Sequence, residues 1–591
     1  MKFNLRLIAL LIAMLMLLTS CESVLEPLFG LIPGLQTSTT ETTTTTPSSS
    51  STTKKPDSST TKKPSMPTIE FDITDNSLSR GELLEMYTLT TEEVDAALAL
   101  LDTMVETSKT ASNVDEVNAL YEEFESVFYH IIQQNTVAKI IYYYDMSNEE
   151  SIERHLSTQE MTYSVQDKYN QSCRTMYLES PLSEEFFSNW SEEEIQSLLD
   201  YDPEIMEIKK AIDELMVQYD NLNQSDPGYN DACVEIYKQT IIKNNELARK
   251  YGYDNYYEYA SINVYGRDYA PEDLDAFRQY AAQYVAPSFN KVYDDYSAYA
   301  TWESRTKVKR VEEFLRDPFY SAPKRNYVMN YLNSLEGSMG ESMRHVFENK
   351  NCVFSFSGNS HPTAFQTYLY EDEKPLCFFG GNGQSANTVV HEIGHYYAGL
   401  KNPDIDNYDL CETHSQGNEF LFLKYCEQYV DEDVYSVVRG YNYVNAIYII
   451  VMASVIDGFE QRVYELDDEA VMAMTGADFD NIMTEVCEVF GGYIWVKNNC
   501  SDPHAYWRLV AISNPVYYIS YAVSAVAALE VGAMAEQDYE AALAAYTTLV
   551  EGVTYEDGFL GALAKAGFTT PFEEETFQNI GNLLADLFKQ Q

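Results

Sequence analysis

Two histidines four residues apart around a glutamate, His391-Glu-Ile-Gly-His395, hold the densest chemistry in the chain. They fall inside Thr388-Val-Val-His-Glu-Ile-Gly-His-Tyr-Tyr397, which reads as a helix. On a helix, positions i and i+4 lie one above the other, so both imidazoles face the same way and can share one zinc ion. Glu392 then stands beside the ion, placed to take a proton from a water that the ion holds. Only eight histidines occur in 591 residues. That scarcity argues against accident, although a five-letter pattern does recur by chance.

Two imidazoles leave a catalytic zinc short of a third protein ligand and of an open water position. The helix carrying His395 is expected to stop near Asn402-Pro403, because proline cannot continue it. A second helical stretch begins around Cys411 and runs to Cys426, and in it Glu412 and Glu419 lie seven residues apart. Seven residues are two turns, so both carboxylates share one face. Glu412 is the candidate third ligand, with Glu419 behind it as a partner that steadies the ligands. His414 competes for the third position. It lies about 200° around the helix from Glu412, so the two cannot both face the ion.

The elements that must position these residues are mostly helices. Amphipathic spacing recurs through Thr90 to Ser108, Asp115 to Gln134, Asp231 to Tyr251, Pro271 to Tyr299 and Val434 to Glu465. The apolar run Val444 to Ile456 is too short to cross a membrane and reads as a core helix. Strand signals cluster just ahead of the histidines: Cys352 to Ser357, Ala364 to Tyr370 and Pro375 to Phe379, followed by the corner Gly380-Gly-Asn-Gly383. A small sheet beside a zinc helix can hold a peptide as one more strand. A sheet that only braces the core fits the same residues. The 48 tyrosines are read mainly as core and helix-surface packing, since the ring is apolar and the hydroxyl can stay wet.

With these residues in place, the sequence resembles the M3 peptidases, the group of thimet oligopeptidase and oligoendopeptidase F. His391-Glu-Ile-Gly-His395 is similar to their H-E-x-G-H signature, and Glu412-Thr-His-Ser-Gln-Gly-Asn-Glu419 to E-x-P-S-Q-x-x-E. Leu247-Ala-Arg-Lys-Tyr-Gly-Tyr-Asp-Asn-Tyr256 resembles a helix junction of the oligoendopeptidase F branch, and Asn514-Pro-Val-Tyr-Tyr-Ile-Ser-Tyr-Ala522 resembles its Pro-Phe-Tyr-x-x-x-Tyr segment. The resemblance implies a mainly α, two-lobed, zincin-like fold whose channel admits flexible oligopeptides. It implies His391, His395 and Glu412 as ligands of one Zn2+ per chain, and Glu392 as general base. It also implies Tyr518 and Tyr521 as donors to the oxyanion; two tyrosines packed in a helical core are the other reading of that pair. Three departures stand out. No histidine occurs around Val510, where the family carries one, and His504 is out of register. The loop from His395 to Glu412 is shorter than in thimet oligopeptidase, and His414 replaces the proline of the second signature.

The first residues bear on location. Lys2 and Arg6 precede the apolar run Leu7 to Leu18, which ends in Leu18-Thr-Ser-Cys21. This resembles a lipoprotein leader in which residues 1 to 20 are removed and Cys21 is acylated; an ordinary secretory signal is the alternative. Residues 37 to 68 are almost only Thr, Ser, Pro and Lys, with Ser50-Ser-Thr-Thr-Lys-Lys-Pro56 repeated at Ser58 to Pro64. Such a stretch has little to bury and reads, over 21 to 68, as an extended tether with a reach of up to roughly 100 Å. Residues 1 to 68 carry six basic and four acidic side chains, so of the net −53 the remainder holds −55. That argues against nucleic acid or anionic lipid surfaces as partners. The eight cysteines beyond Cys21 show no C-x-x-C spacing. They read as buried free thiols and not as a zinc site.

The sequence therefore predicts an extracytoplasmic, lipid-anchored, monomeric zinc oligopeptidase, with a helical N-terminal lobe over 69 to 340 and a catalytic lobe over 341 to 591. A Taq-type zinc carboxypeptidase and a catalytically weak peptide-binding lipoprotein are the alternatives.

Overall fold

The computed structural model describes residues 63–589, except 200–201, 225, 291–318, 382–383, 406 and 493–506. The leader, Cys21, most of the tether, Cys500 and His504 lie outside the described residues. The chain meets the domain before the expected end of the tether. Lys63 Nζ donates to the Glu427 carbonyl at 2.6 Å, and the Pro67 carbonyl accepts from Asn330 at 2.8 Å. Met66 supplies an apolar side chain that packs on the main core.

Three long helices come first: α1 (Thr91–Thr110), α2 (Asp115–Tyr144) and α3 (Glu149–Glu179). Thr90 starts α1 with a reciprocal cap, accepting from the Glu93 amide while Glu93 accepts from that of Thr90. Phe124, Phe128 and Tyr169 stack at the centre of this bundle, Phe124 and Tyr169 at 5.4 Å between ring centroids. The periodicity predicts α2 only to Gln134. Beyond it the helix runs a further ten residues that are buried almost all round, from Thr136 to Tyr143, so amphipathic contrast vanishes there. Its first half belongs to the bundle core. Its second half, with Ile140 and Ile141, packs on Val353, Phe365, Leu376 and Phe378 of the sheet. One helix thus ties the bundle to the sheet.

The sheet has three strands, β1 (Cys352–Phe354), β2 (Ala364–Leu369) and β3 (Lys374–Phe379), in the order β1-β3-β2. β1 runs parallel to β3 and β2 antiparallel, with Ala364 opposite Phe379. Leu78 bridges to Val353 on the outer side of β1. Among the described residues, no strand pairs with the outer edge of β2.

The largest core joins α4 (Tyr229–Lys250), α5 (Tyr256–Asn263), α6 (Ala386–Lys401), α7 (Tyr408–Cys426), α8 (Glu432–Tyr464), α9 (Ile519–Gln537) and α10 (Tyr539–Glu551). Residues on both sides of position 340 pack into it. The junction predicted at Lys250 to Tyr256 is a tight turn with Gly252 at φ 84°, a conformation that glycine adopts without strain. α8 and α9 are long and apolar enough to cross a membrane, but 78% of the apolar window of each is buried in the protein. Every described cysteine is a free thiol. The fold is mainly α with a small sheet next to the histidine helix, as the sequence predicts.

Candidate metal centre and active site

α6 begins at Ser385, whose hydroxyl accepts from the Thr388 amide at 3.1 Å. It lies on β3 and crosses α7 very closely. A Cβ added to Gly394 would come within 2.7 Å of the His414 carbonyl oxygen and 2.8 Å of Ser415 Cα, so only glycine permits this crossing. Asn418 locks it, donating to the Val390 carbonyl at 2.7 Å while accepting from the Tyr331 hydroxyl at 2.6 Å.

The crossing brings Glu412 onto the two histidines. Glu412 Oε2 lies 3.5 Å from His391 Nε2 and 3.6 Å from His395 Nε2. One donor atom from each of the three residues lies within 4.8 Å of the others. A tetrahedral zinc with bonds of about 2.0–2.1 Å separates neighbouring ligand atoms by roughly 3.3–3.4 Å, so this triangle is of the right size. Burial pushes the His395 imidazole down to about 4, against the pull of Glu412. Burial alone would raise Glu412, but attraction to His395 and the bonds from His391 and Tyr517 outweigh it and hold the carboxyl at about 2. A neutral imidazole and an ionised carboxylate are the states in which these groups bind a metal. The residues present fit zinc.

Glu419 Oε1 lies 2.6 Å from His391 Nδ1, and Asn387 donates to its other oxygen. This bond assigns the proton to Nδ1 and turns the Nε2 lone pair toward Glu412. Ser415 donates to Glu412 Oε2 at 3.0 Å. Glu392, the residue after His391 on α6, is fully buried. His414 faces the other way: Nε2 lies 3.3 Å from the Leu549 carbonyl, burial lowers its imidazole to about 3, and its carbonyl accepts from Tyr546. Of the two candidates for the third ligand position, the helix crossing brings Glu412 to the histidines and turns His414 toward α10.

The segment before α9 forms the facing wall. Tyr518 immediately precedes α9 and Tyr521 lies in its first turn; both line the same cavity as His391. Tyr517, which the sequence reading passed over, donates to Glu412 Oε1, so a residue of the facing wall holds the candidate ligand. Val516 takes φ 64°, which costs a β-branched residue about 1–3 kcal/mol. Three buried groups compel it. Glu460 accepts from the Val516 amide at 2.8 Å, Arg267 donates to its carbonyl at 2.7 Å and to Ser520 at 3.0 Å, and Tyr265 donates to the Pro515 carbonyl. Arg267 Nε also lies 3.9 Å from Asp409 near the start of α7. Val510, around which the resemblance to the M3 peptidases leads one to expect a histidine, is buried in a short π-helical stretch, Trp507–Ala511.

No protein-family model matches the chain, and no curated protein matches it by sequence. Solved structures do match it. PZ peptidase A with an inhibitor superposes with a TM-score of 0.66 at 17% identity, covering 85% of this chain and 98% of that one. A structure described as oligoendopeptidase F superposes at 0.64 with 16% identity, over 84% and 97% of the two chains. Another so described, from Bacillus anthracis, superposes at 0.63 with 16% identity, over 85% and 96%. The chain shares their helical fold along nearly their whole length.

Tyr517, Asn387, Arg267 and Glu460 escaped the sequence reading. Tyr517 alone carried a signal, since it stands inside the quoted tyrosine segment. Arg267 and Glu460 lie 249 and 56 residues from Val516, with no spacing rule to link them.

Proposed function

We propose that the chain is a zinc-dependent oligopeptidase that hydrolyses internal bonds of short flexible peptides. The observation that carries this reading is the triangle of His391, His395 and Glu412, with Glu392 on the same helix turn, in a fold shared with the peptidases above. His391, His395 and Glu412 would hold the ion, and Glu419 fixes the His391 tautomer. When bound, zinc polarises the scissile carbonyl and acidifies the attacking water. Glu392 accepts that water's proton and returns it to the leaving amine. A hydroxyl of Tyr518 or Tyr521 donates to the carbonyl oxygen as negative charge grows on it. The outer edge of β2, which no strand among the described residues pairs with, offers backbone groups for an extended peptide. The lipoprotein-like leader supports a chain held outside a bacterial cell by an acyl chain on Cys21; Cys21→Ala should move the protein out of the detergent phase and abolish lipid labelling.

The test is Glu392→Gln in the full chain. Hydrolysis of a peptide library should fall by at least about a thousandfold, with metal content still near one zinc per chain. Loss of metal in this variant would show that the roles are misassigned. Internal cuts in a long synthetic peptide distinguish the proposal from a carboxypeptidase, which trims only the C-terminus. A zinc-loaded wild type that binds peptides and cleaves none would be a binding protein instead.

A further inference from the structure

The far end of β2 carries a group of aromatic side chains that the metal centre does not use. Tyr368 and Tyr370 stand there, and Tyr129 of α2 meets them from the bundle side. The Tyr370 ring lies parallel to that of Tyr129 within 2°, at 6.4 Å between centroids, and at 68° to that of Tyr368, 5.0 Å away. All three residues are half-buried. Among the described residues, none of their hydroxyls has a hydrogen-bond partner, so rings and hydroxyls together form one open platform.

The charges around this platform have one sign. Burial raises the Tyr129 and Tyr368 hydroxyls to about 12 and Tyr370 further, and the charged groups that add to the rise are all carboxylates: Glu125 one turn back on α2, Glu373 of the β2–β3 turn and Asp404 just past the end of α6. Glu125 has one carboxylate oxygen buried without a hydrogen-bond partner. The basic side chains close by are engaged, His130 with Glu371 at 2.7 Å and Lys374 with Asp372 at 3.2 Å. Tyrosine faces rimmed by carboxylates attract a cation, through the ring quadrupole and through net charge. A guanidinium suits them best, because it is planar, stacks on a ring and presents a fork of N–H donors to a carboxylate.

The sheet fixes how far the platform lies from the metal centre. The Cys377 thiol donates to the Glu392 carbonyl at 3.6 Å, and Cys377 pairs with Gln366 of β2, which sets the level of Glu392 along the strand. Tyr370 is four residues farther on, about 13 Å of extended chain. We infer that Tyr129, Tyr368 and Tyr370, with Glu373 and Asp404, form a subsite for a basic side chain, arginine above lysine, carried by a peptide residue about four or five positions from the scissile bond. The inference deepens the peptidase reading and rests on it for the course of the peptide along the outer edge of β2; attraction of a cation is a property of the platform alone. The net −55 beyond residue 68 draws basic peptides toward the whole domain. The platform gives that attraction one position.

The experiment walks a single Arg, with Gln as the reference at each place, through an otherwise uncharged peptide on the zinc-loaded full chain. The peptide is acetylated and amidated, so no terminal charge competes. Arg should raise kcat/KM over Gln by about tenfold at one position four or five residues from the cut and by much less at its neighbours, and Lys there should gain less than Arg. Tyr370→Leu, and separately Asp404→Asn combined with Glu373→Gln, should each reduce that ratio to about threefold or less with zinc content unchanged. Should Tyr370→Leu fold poorly, the charge variant decides alone. Binding of the same peptides to Glu392→Gln protein, read by calorimetry, should single out the same position and respond to the same variants. If nothing is cleaved but this binding pattern holds, the platform stands and the peptidase reading falls; if neither cleavage nor the pattern is seen, both fall. If peptides are cleaved and Arg helps nowhere, helps equally at every position, or helps at one position that neither variant moves, the platform inference is overturned while the peptidase reading stands.

Discussion

The two walls of the site differ in where their supports come from. The metal wall is built from α6 and α7, and its farthest members on those two helices, Asn387 and Glu419, are 32 residues apart. Helical periodicity aligns each set, and one glycine lets the helices touch. The tyrosine wall is an irregular segment in a strained conformation, held by Arg267 from 249 residues away and by Glu460 from 56. A wall made of regular helices can be placed by local rules, whereas an irregular one needs buried partners that compel each backbone group. The division is not complete, because Tyr517 reaches across and donates to Glu412.

Breaking the metal wall should have the largest effect. Glu412→Ala removes the only carboxylate of the triangle and should lower zinc affinity by more than about a hundredfold, beyond the loss seen when a ligand's partner is removed. Competition with a chelator reads this directly. If tight zinc binding survives, the triangle is not the metal site.

The tyrosines should separate by function despite their adjacency. Tyr521→Phe or Tyr518→Phe, whichever supplies the oxyanion donor, should lower kcat by about a hundredfold with zinc content unchanged. Tyr517→Phe should instead weaken zinc by about tenfold, because it frees Glu412 from a positioning bond. Equal behaviour of all three would erase the distinction between the walls.

The smallest effect should come from the clamp. Arg267→Lys keeps the charge but loses the fork that reaches the Val516 carbonyl and Ser520 together. We expect kcat to fall by about tenfold with zinc affinity and KM nearly constant, since only the tyrosine wall is loosened. Parallel loss of zinc would show that the two walls are mechanically one.

Legibility followed the same division. The helices around His391 and Glu412 are readable to within a few residues, and β2 and β3 nearly to the residue, because each obeys a short period; β1 stops at Phe354, three residues before the expected Ser357. α3 was not singled out from the sequence. Its buried face contains Ser151, Thr158, Thr162, Gln166 and Ser172, which pack inside while carrying no apolar signal. The end of α2 escapes for a different reason: it is buried almost all round, so its residues show no contrast between a core face and a solvent face.

The sequence by itself determined the helical class, the pairing of His391 with His395 and the candidacy of Glu412, since these depend on spacings of four and seven along a helix. It left Glu412 and His414 as rivals. Only the crossing of α6 and α7 decided between them, because a single helix says which residues share a face but not which face meets a neighbour. The pocket beside His391, the strained Val516 and the bond from Tyr517 to Glu412 were likewise settled by tertiary packing. Each joins groups far apart in the chain, and no local period encodes where such groups meet.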